Sequence, residues 1–126
     1  MSAPLLISQR EVGDVTVLEL SGHLVFDVGE RDFRELVMSL VKAGRTRILV
    51  DLRNVTYIDS GGVGGLVGMF LHVSKRGGEM KLICPSHRAR RVLKITKLLT
   101  VFEVFPTEAQ GIASFAPRVA AGETRT

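Results

Sequence analysis

The feature that most constrains the fold is an apolar strand that leads, through a short polar motif, into an apolar helix. The strand candidate is Arg47–Leu52, the motif is Ile58–Gly64 (IDSGGVG), and the helix candidate runs from Val63 to about Arg76. A nearly continuous apolar strand is typical of a parallel sheet, whose strands alternate with helices. The motif therefore lies at a helix N-terminus, where unpaired backbone N–H groups and the helix dipole favour a carboxylate or phosphate.

Asp59 and Ser60 occupy the position from which a side chain caps such a helix. The simplest interpretation is structural, with an Asp-Ser cap followed by a glycine turn. Five glycines lie in or near the first turns of the helix: Gly61, Gly62, Gly64, Gly65 and Gly68. Each glycine in a helix interior costs about 0.5–1 kcal/mol relative to alanine. Their clustering predicts that the sheet or a protein partner packs closely against this backbone.

The spacing argues against the common nucleotide and hydrolase motifs. A dinucleotide fingerprint starting at Gly62 would need glycine at position 67, which is Val67, and no Gly-Lys-Ser or Gly-Lys-Thr follows. A Gly-x-Ser-x-Gly elbow around Ser60 would need glycine at position 58, which is Ile58. We therefore predict no cofactor and no catalytic residue here.

The three histidines add little support for catalysis. They are His23, His72 and His87, and none has metal-ligand spacing with another His, Cys or carboxylate cluster, so no metal site is predicted. His72 lies about three turns along the helix that begins near Ser60, which is too far for contact. His23 is the one candidate base for a hydrolase built on Ser60, and a structural histidine is the favoured interpretation.

Length and composition indicate one globular domain. The chain has 126 residues, 45% of them apolar, and no apolar run approaches the length of a membrane span. Its start carries no basic region of the kind found in signal peptides, so we expect a cytoplasmic protein. Cys84 is the only cysteine, which excludes an internal disulfide, and its apolar context predicts a small buried side chain.

Positive charge is concentrated between Lys75 and Lys97. This segment has eight basic residues and one acidic residue, Glu79, in a chain of formal net charge +4. It fits a nucleic-acid footprint, a docking face for an acidic protein, or simply a solvated helix face, which we favour. No aromatic residue is interleaved with these charges, which argues against a platform for single-stranded nucleic acid.

Periodicity along the rest of the chain predicts alternating strands and helices. The predicted elements are strands Leu5–Arg10 and Val15–Ser21, ended by Gly22; an apolar connector Leu24–Phe26; helix Val28–Lys42, capped by Asp27 and ended by Gly44; strand Arg47–Leu52; helix Val63–Arg76; strand Met80–Cys84; a short basic helix beginning at Pro85-Ser86; an apolar turn at Leu98-Leu99; strand Val101–Phe105; and helix Glu108–Phe115, capped by Thr107. Met69 and Leu71 fall off the apolar stripe of their helix, so we expect them to face a partner.

This order predicts an α/β fold with a mixed, mostly parallel sheet of about five strands. The first two strands form an antiparallel hairpin at the sheet edge, and about four helices complete the fold. We expect residues 1–116 to form the single domain. The small, polar residues 117–126 are expected to be a disordered tail.

The motif and its setting resemble the STAS domain, and more closely the bacterial anti-sigma factor antagonists. The similarity extends from about Val12 to Phe115 and includes Gly22, the closing Gly77-Gly78-Glu79-Met80 and the segment Leu98–Phe102. The family motif is Asp-Ser-Ser/Thr-Gly-Leu-Gly, in which the serine after the aspartate is the phosphorylation site. The resemblance thus implies a single STAS-like domain with a phosphoserine switch.

Matched position by position, the resemblance assigns the phosphoacceptor to Ser60. The partner-binding residues that it implies are Asp59, Ser60, Gly61, Gly62, Val63, Gly64, Val25, Asp27 and Met69. The sequence departs from the family at two places. Gly61 stands where the family has Ser or Thr, and Val25 ends a Gly-His-Leu-Val segment where the family often has Gly-Glu-Leu-Asp.

The implied function is partner switching that controls sigma-factor-dependent transcription. The unphosphorylated protein would bind an anti-sigma factor, usually a serine kinase of the histidine-kinase-like ATPase type, and so release a sigma factor. Phosphate on Ser60 would add about −1.5 to −2 charges to the contact and break it. A phosphatase would restore binding. The chain would be a substrate and ligand rather than an enzyme, and we expect no direct binding of nucleic acid.

Three other interpretations remain open from the sequence. One is a STAS-like adaptor subunit of a membrane-lipid ABC transport complex, docking the ATPase with much the same surface. A second is a nucleic-acid-binding domain that uses Lys75–Lys97, and salt-sensitive binding would support it. A hydrolase that uses Ser60 as its nucleophile is the third.

Overall fold

The computed structural model of the chain describes residues 4–83, 87–95 and 100–116. Within these ranges the elements are β1 (Leu5–Val12), β2 (Val15–Leu24), α1 (Val28–Lys42), β3 (Arg47–Ile58), α2 (Ser60–Lys75), β4 (Glu79–Ile83), α3 (His87–Ile95), β5 (Val104–Phe105) and α4 (Glu108–Ala113). Three helices have nine or more residues, and α4 has six. The predictions for Cys84, Pro85-Ser86, Leu98-Leu99 and residues 117–126 lie outside the described residues.

The strands form one mixed sheet in the order β1-β2-β3-β4-β5. β1 and β2 are antiparallel, and every later neighbour is parallel, which confirms the predicted architecture. The hairpin turns at Gly13, whose φ of 62° is readily adopted by glycine. Each parallel strand pair is joined through a helix, as parallel connections require.

Two apolar clusters cover the two faces of the sheet. On the front face, buried residues of the sheet pack against Phe33 and Val37 of α1, Leu66 and Val73 of α2, and Leu93 of α3. The smaller rear cluster contains Val15, Val17, Leu49, Ile83 and Phe115, with Ile112 of α4 packed against it. The sheet is therefore covered mainly on its front, where α1 and α2 lie side by side.

Three strands are longer than predicted: β1 extends to Val12 instead of Arg10, and β2 and β3 continue through residues that usually interrupt a strand. β2 passes through Gly22, which has φ of 103°, and ends at Leu24. β3 does not end at Leu52 but continues to Ile58. From Glu19 to Leu24 β2 advances five residues, while its partner β3 advances seven, from Asp51 to Ile58. β3 thus carries two bulges, and they bring its end level with the end of β2.

The final strand and helix are shorter than predicted. β5 has only two residues, and Val101 and Phe102 lie in a turn before it. Phe102 is nevertheless buried, and its ring meets that of Phe70 edge-on at a centroid distance of 4.9 Å. Phe102 is therefore buried from a turn, and its apolar character did not indicate a strand. α4 ends at Ala113, and Thr107 caps it as predicted, accepting a hydrogen bond from a backbone N–H.

Two buried cations lie on the rear face around Phe115, and we call these three residues the Phe115 cluster. The Lys81 ammonium and the Arg47 guanidinium lie 4.6 and 5.5 Å from the centre of the Phe115 ring. Arg47 pairs with Asp14 at 2.7 Å and donates to the carbonyl of Ala116. Lys81 has three further partners: the Ser114 carbonyl, Glu103 and Glu79, at 3.0, 3.0 and 3.3 Å. These contacts attach the end of the described chain to the sheet.

Candidate functional site

Asp59, one of the two residues that the sequence offered as a cap, is the N-cap of α2. It has extended backbone angles, and its Oδ1 accepts a hydrogen bond from the Gly62 N–H at 2.8 Å. Its carbonyl accepts the first helical bond, from Val63 at 2.9 Å. Ser60 is then the first helical residue and is exposed. Its hydroxyl therefore projects beside the positive end of the helix dipole and takes no part in capping.

The Asp59 carboxylate also holds the loop between β2 and α1. Both of its oxygens accept from the Phe26 N–H, at 3.0 and 3.1 Å. The Asp59 N–H in turn donates to the Leu24 carbonyl at 3.4 Å. One side chain thus joins the end of β2, the loop and the start of α2. A side chain with several fixed partners is well ordered, so the surroundings of Ser60 are rigid.

Asp27 begins α1, but the prediction that its side chain caps the helix is wrong. It has φ of 80°, the one positive φ among the described non-glycine residues, and its carboxylate makes no capping bond. In the first turn the Glu30 N–H donates to the Val25 carbonyl instead, at 2.8 Å, and the Arg31 N–H makes the first helical bond, to the Asp27 carbonyl at 3.0 Å. The Asp27 carboxylate is left exposed near Ser60's helix.

The glycines of α2 fall into two groups. A Cβ on Gly62 would lie 2.0 Å from the Leu24 carbonyl oxygen, and one on Gly61 would lie 2.6 Å from the Phe26 Cβ. A Cβ on Gly65 would meet the Glu30 side chain at the same distance of 2.6 Å. By contrast, Gly64 and its neighbour one turn on, Gly68, have nothing within 4 Å of such an atom. Gly61, Gly62 and Gly65 therefore allow other parts of the chain to pack closely against α2. Gly64 and Gly68 leave the helix backbone uncovered, and Gly64 lies one turn from Ser60.

The remaining predicted site residues have different environments. Val25 and Val63 are half-buried, and Asp27 and Gly64 are exposed. Met69 is buried with 6% of its surface accessible and belongs to the front core, so its assignment to the partner surface is wrong. The helix buries a wider arc than one stripe because α1 covers its side as well as the sheet. Leu71 is exposed, as expected.

Two exposed apolar residues beside the site were not singled out from the sequence. Phe26, in the loop before α1, is 73% exposed, and Val28, the first residue of α1, is 55% exposed. Phe26 was treated as part of an apolar connector, and Val28 as the first residue of the next helix. The sequence did contain a clue to their exposure. Phe26 and Val28 are large apolar residues two positions apart, and no predicted strand or apolar helix stripe would bury them.

A hydrolase that uses Ser60 with a histidine base would need that histidine within hydrogen-bond reach of the hydroxyl. Among the described residues no hydrogen bond joins the Ser60 hydroxyl to a histidine: His23 packs against Tyr57 with ring centroids 5.5 Å apart, and His72 contacts Arg76 at 3.1 Å. A cleft of about 520 Å³ lies between the far ends of α1 and α2, and one of about 380 Å³ borders the loop before α1. Ser60 lines neither cleft.

The basic segment is not one continuous patch. Lys81, counted within it, is buried in the Phe115 cluster, whereas Arg90, Arg91 and Lys94 of α3 are exposed. In the described ranges, no three His, Cys, Asp or Glu side chains are grouped so as to hold a metal ion. None of the helices described is both long and apolar enough to cross a bilayer.

Comparison with known proteins agrees with this geometry. The family model described as "STAS domain" matches residues 7–111. An anti-sigma-B factor antagonist of Bacillus subtilis is 34% identical over 79 residues, which cover 63% of this chain and 72% of that protein. A crystal structure of a putative anti-sigma factor antagonist from Thermotoga maritima aligns with a TM-score of 0.77 and 24% identity, covering 85% of this chain and 92% of that one.

A third similar protein has been solved in a modified state. The Bacillus cell fate determinant SpoIIAA, in its phosphorylated form, aligns with a TM-score of 0.69 and 23% identity. The alignment covers 86% of this chain and 97% of that one. At such identities the two solved structures establish the fold.

Proposed function

The chain belongs to the STAS domain family, and from this premise we propose that it is an anti-sigma factor antagonist switched by phosphorylation of Ser60. Without phosphate, the start of α2 and the loop before α1 bind an anti-sigma factor, and a sigma factor is released. With phosphate on Ser60, the anti-sigma factor dissociates and can bind the sigma factor again. The protein acts in the cytoplasm, where transcription takes place.

The observation that carries this proposal is the division of roles between Asp59 and Ser60. Asp59 fills the capping position and binds the Gly62 and Phe26 N–H groups. Ser60 is exposed at the first helical position, with open backbone at Gly64 one turn further on. A kinase can therefore reach the Ser60 hydroxyl without displacing a structural contact. The same surface is flat enough at its glycines for a protein partner to approach the helix closely.

The chemistry of the switch requires a nucleotide that the partner supplies. A histidine-kinase-like anti-sigma factor holds ATP and acts as the serine kinase. The Ser60 oxygen attacks the γ-phosphorus, ADP leaves, and the hydroxyl proton passes to a base of the kinase. A phosphatase later hydrolyses the phosphoester and regenerates the hydroxyl. The chain itself is then a substrate and a ligand, and not an enzyme.

Phosphate at Ser60 is tolerated by this fold because it lies at the start of α2. The helix dipole and the free N–H groups of the first turn stabilise an anion there. The partner, in contrast, meets a dianion of about −1.5 to −2 charges where it previously met a small hydroxyl. Steric overlap and the loss of hydration weaken the complex, while the fold itself stays unchanged.

The two departures from the family motif leave the phosphoacceptor in place. Gly61 removes a second hydroxyl next to Ser60, and Val25 replaces a carboxylate on the loop before α1. With both changes present, Ser60 is exposed and Asp59 keeps its hydrogen bonds to the Phe26 and Gly62 N–H groups. They change the shape and charge of the surface around the switch, and so bear on which anti-sigma factor binds.

A binding experiment with three variants of Ser60 tests the proposal. Purified anti-sigma factors of the source organism are titrated one by one with wild type, Ser60→Ala and Ser60→Asp. We expect one of them to bind wild type and Ser60→Ala similarly, and Ser60→Asp at least about tenfold more weakly. The same factor with ATP should add one phosphate to wild type and none to Ser60→Ala. Equal affinity for Ser60→Asp and wild type would overturn the switch.

The relatives favour this function over the alternatives left open by the sequence. The relatives from Bacillus subtilis and Paenibacillus polymyxa are named as anti-sigma factor antagonists. The basic segment is divided between a buried lysine and an exposed helix face, so it provides little support for a nucleic-acid interface. The hydrolase interpretation finds no histidine hydrogen-bonded to Ser60 among the described residues.

A further inference from the structure

Phe26 is the most exposed of the large apolar side chains described, and it lies next to the switch serine. Its exposed fraction is 73%, compared with 55% for Val28 and 49% for Leu71. Its backbone N–H is held by the carboxylate of Asp59, the residue directly before Ser60. Exposure of a phenylalanine to water is unfavourable, so a large aromatic side chain fixed at such a place is typical of a binding surface.

The position of Phe26 depends on glycine at position 61. A Cβ built on Gly61 would lie 2.6 Å from the Phe26 Cβ, 2.9 Å from its Cα and 3.1 Å from its N. Two of these three atoms belong to the backbone, so a rotamer change of the phenylalanine cannot relieve the overlap. Any side chain at position 61 would push the loop away from α2. The hydrogen bond from the Phe26 N–H to Asp59 would then be stretched or broken.

The other aromatic ring exposed at this end of the sheet has an internal partner. Tyr57 is 46% exposed, and its ring packs against His23. Phe26 makes its fixed contacts through its backbone, which leaves the ring free to enter a pocket on another protein. Because the backbone is already ordered, binding loses little conformational entropy. Aromatic residues held in this way are the ones that dominate protein–protein affinity.

We propose that Phe26 is the aromatic anchor of the partner surface, and that Gly61 is the specificity determinant that allows it to lie there. The inference rests on the proposed function, because the occupant is the anti-sigma factor. That protein must have an apolar pocket beside the place where it accepts the Ser60 hydroxyl. An anti-sigma factor without such a pocket would be rejected by the exposed ring even though the Asp-Ser motif is intact.

The first test compares Phe26, just before the start of α1, with Met38, an exposed apolar residue near the far end of that helix. With the anti-sigma factor identified by the Ser60 series, we expect Phe26→Ala to weaken binding by about 30-fold or more, as for an interface hot spot. Phe26→Leu should retain part of the affinity. Met38→Ala is the matched control, since Met38 is 43% exposed near the far end of the same helix, and its affinity should equal that of wild type. Wild-type affinity for Phe26→Ala would overturn the anchor.

The second test addresses the coupling of positions 61 and 26 without any partner. In Gly61→Ala, hydrogen exchange of the Phe26 amide should accelerate by about tenfold or more, because its hydrogen bond to Asp59 is lost. In Gly64→Ala, where a Cβ meets nothing within 4 Å, that exchange should stay at the wild-type rate. Unchanged exchange in Gly61→Ala would overturn the role of the glycine.

The outcomes separate failure of the anchor from failure of the proposed function. If Ser60→Asp weakens binding and Phe26→Ala does not, the switch stands and the anchor is wrong. If no anti-sigma factor binds wild type, both the switch and the anchor are wrong. Gly61→Ala should also bind more weakly than wild type although Phe26 is still present, and affinity equal to wild type would contradict the specificity role.

Discussion

The Phe115 cluster and the surroundings of Ser60 both combine a phenylalanine with charged side chains, yet they are organised in opposite ways. In the Phe115 cluster the ring is 6% exposed, and both cations have carboxylate or carbonyl partners within the chain. Around Ser60 the ring of Phe26 is 73% exposed, and the hydroxyl projects into solvent. In that region Asp59 is the charged side chain that binds partners within the chain, the Phe26 and Gly62 N–H groups.

The difference shows which groups maintain the fold and which are available to a partner. The two cations of the Phe115 cluster already have carboxylate and carbonyl partners within the chain, so they contribute to the fold and have little left to offer a partner. At the start of α2, the internal hydrogen bonds involve Asp59 and backbone atoms. The exposed hydroxyl and aromatic ring contribute little to folding. The following substitutions test this division, in order of decreasing effect on stability.

Phe115→Ala should have the largest effect. Truncating a buried phenylalanine typically lowers the free energy of unfolding by about 3–5 kcal/mol, and here it also uncovers two cations. Chemical denaturation monitored by circular dichroism gives the value. Affinity of the remaining folded protein for the anti-sigma factor should equal that of wild type. A weakened interaction at full folding would mean that the rear face contributes to binding.

Gly62→Ala should be the most destabilising change near Ser60. The new Cβ would lie 2.0 Å from the Leu24 carbonyl oxygen, and overpacking of this kind costs about 1–3 kcal/mol. The matched control is Gly64→Ala, which meets no atom and should stabilise α2 by about 0.5–1 kcal/mol. Urea midpoints of both variants measure the contrast. Similar midpoints would show that the loop can retreat from α2 at little cost.

Asp59→Ala removes a helix cap together with the bond to Phe26. Loss of a capping side chain costs about 0.5–2 kcal/mol, and Asp59→Asn should restore much of it, because an amide oxygen can still accept from Gly62. Thermal unfolding measures the difference. Binding should be reduced in Asp59→Ala, since Phe26 is no longer held. Full affinity in that variant would indicate that the loop is ordered by other contacts.

Ser60→Ala and Phe26→Ala should have the smallest effects on stability. Both residues are exposed, and substitutions of exposed residues usually change the free energy of unfolding by no more than about 0.5 kcal/mol. Phe26→Ala is the same chemical change as Phe115→Ala, so the pair directly compares the two regions. A loss above about 1 kcal/mol in either exposed variant would show that the switch surface also supports the fold.

The order of elements and the cap of α2 could be predicted because they depend on local sequence. Asp59 precedes an apolar helix, and its capping bond involves a residue only three positions away. The alternation of strands and helices likewise follows from periodicity and requires no knowledge of distant contacts. The antiparallel hairpin at the edge was predicted from Gly13 and its flanking strands.

Most of the errors involve contacts between distant parts of the chain, and the cap of α1 is a local exception. Met69 was assigned to a partner because one helical stripe was taken as the whole buried face, whereas α1 buries a second side. β3 was ended at Leu52 because bulges depend on the neighbouring strand. Asp27 was predicted to cap α1, but its backbone conformation leaves that task to carbonyls. The role of Phe26 depends on Gly61, which is 35 positions away in sequence and adjacent in space.

The two bulges of β3 have a consequence for how the length of this segment can vary among relatives. Each bulge lets two residues of β3 oppose one residue of β2, so the residues beyond a bulge still face the same side of the sheet as their partners. Val55, after the first bulge, and Ile58, after the second, are both in the front core. Deletion of one residue between Arg53 and Thr56 can therefore be absorbed by loss of one bulge, with Ile58 still opposite Leu24 and the start of α2 in place. Deletion of two would remove both bulges, and a third deletion would have no bulge left to absorb it and would shift Ile58 away from Leu24.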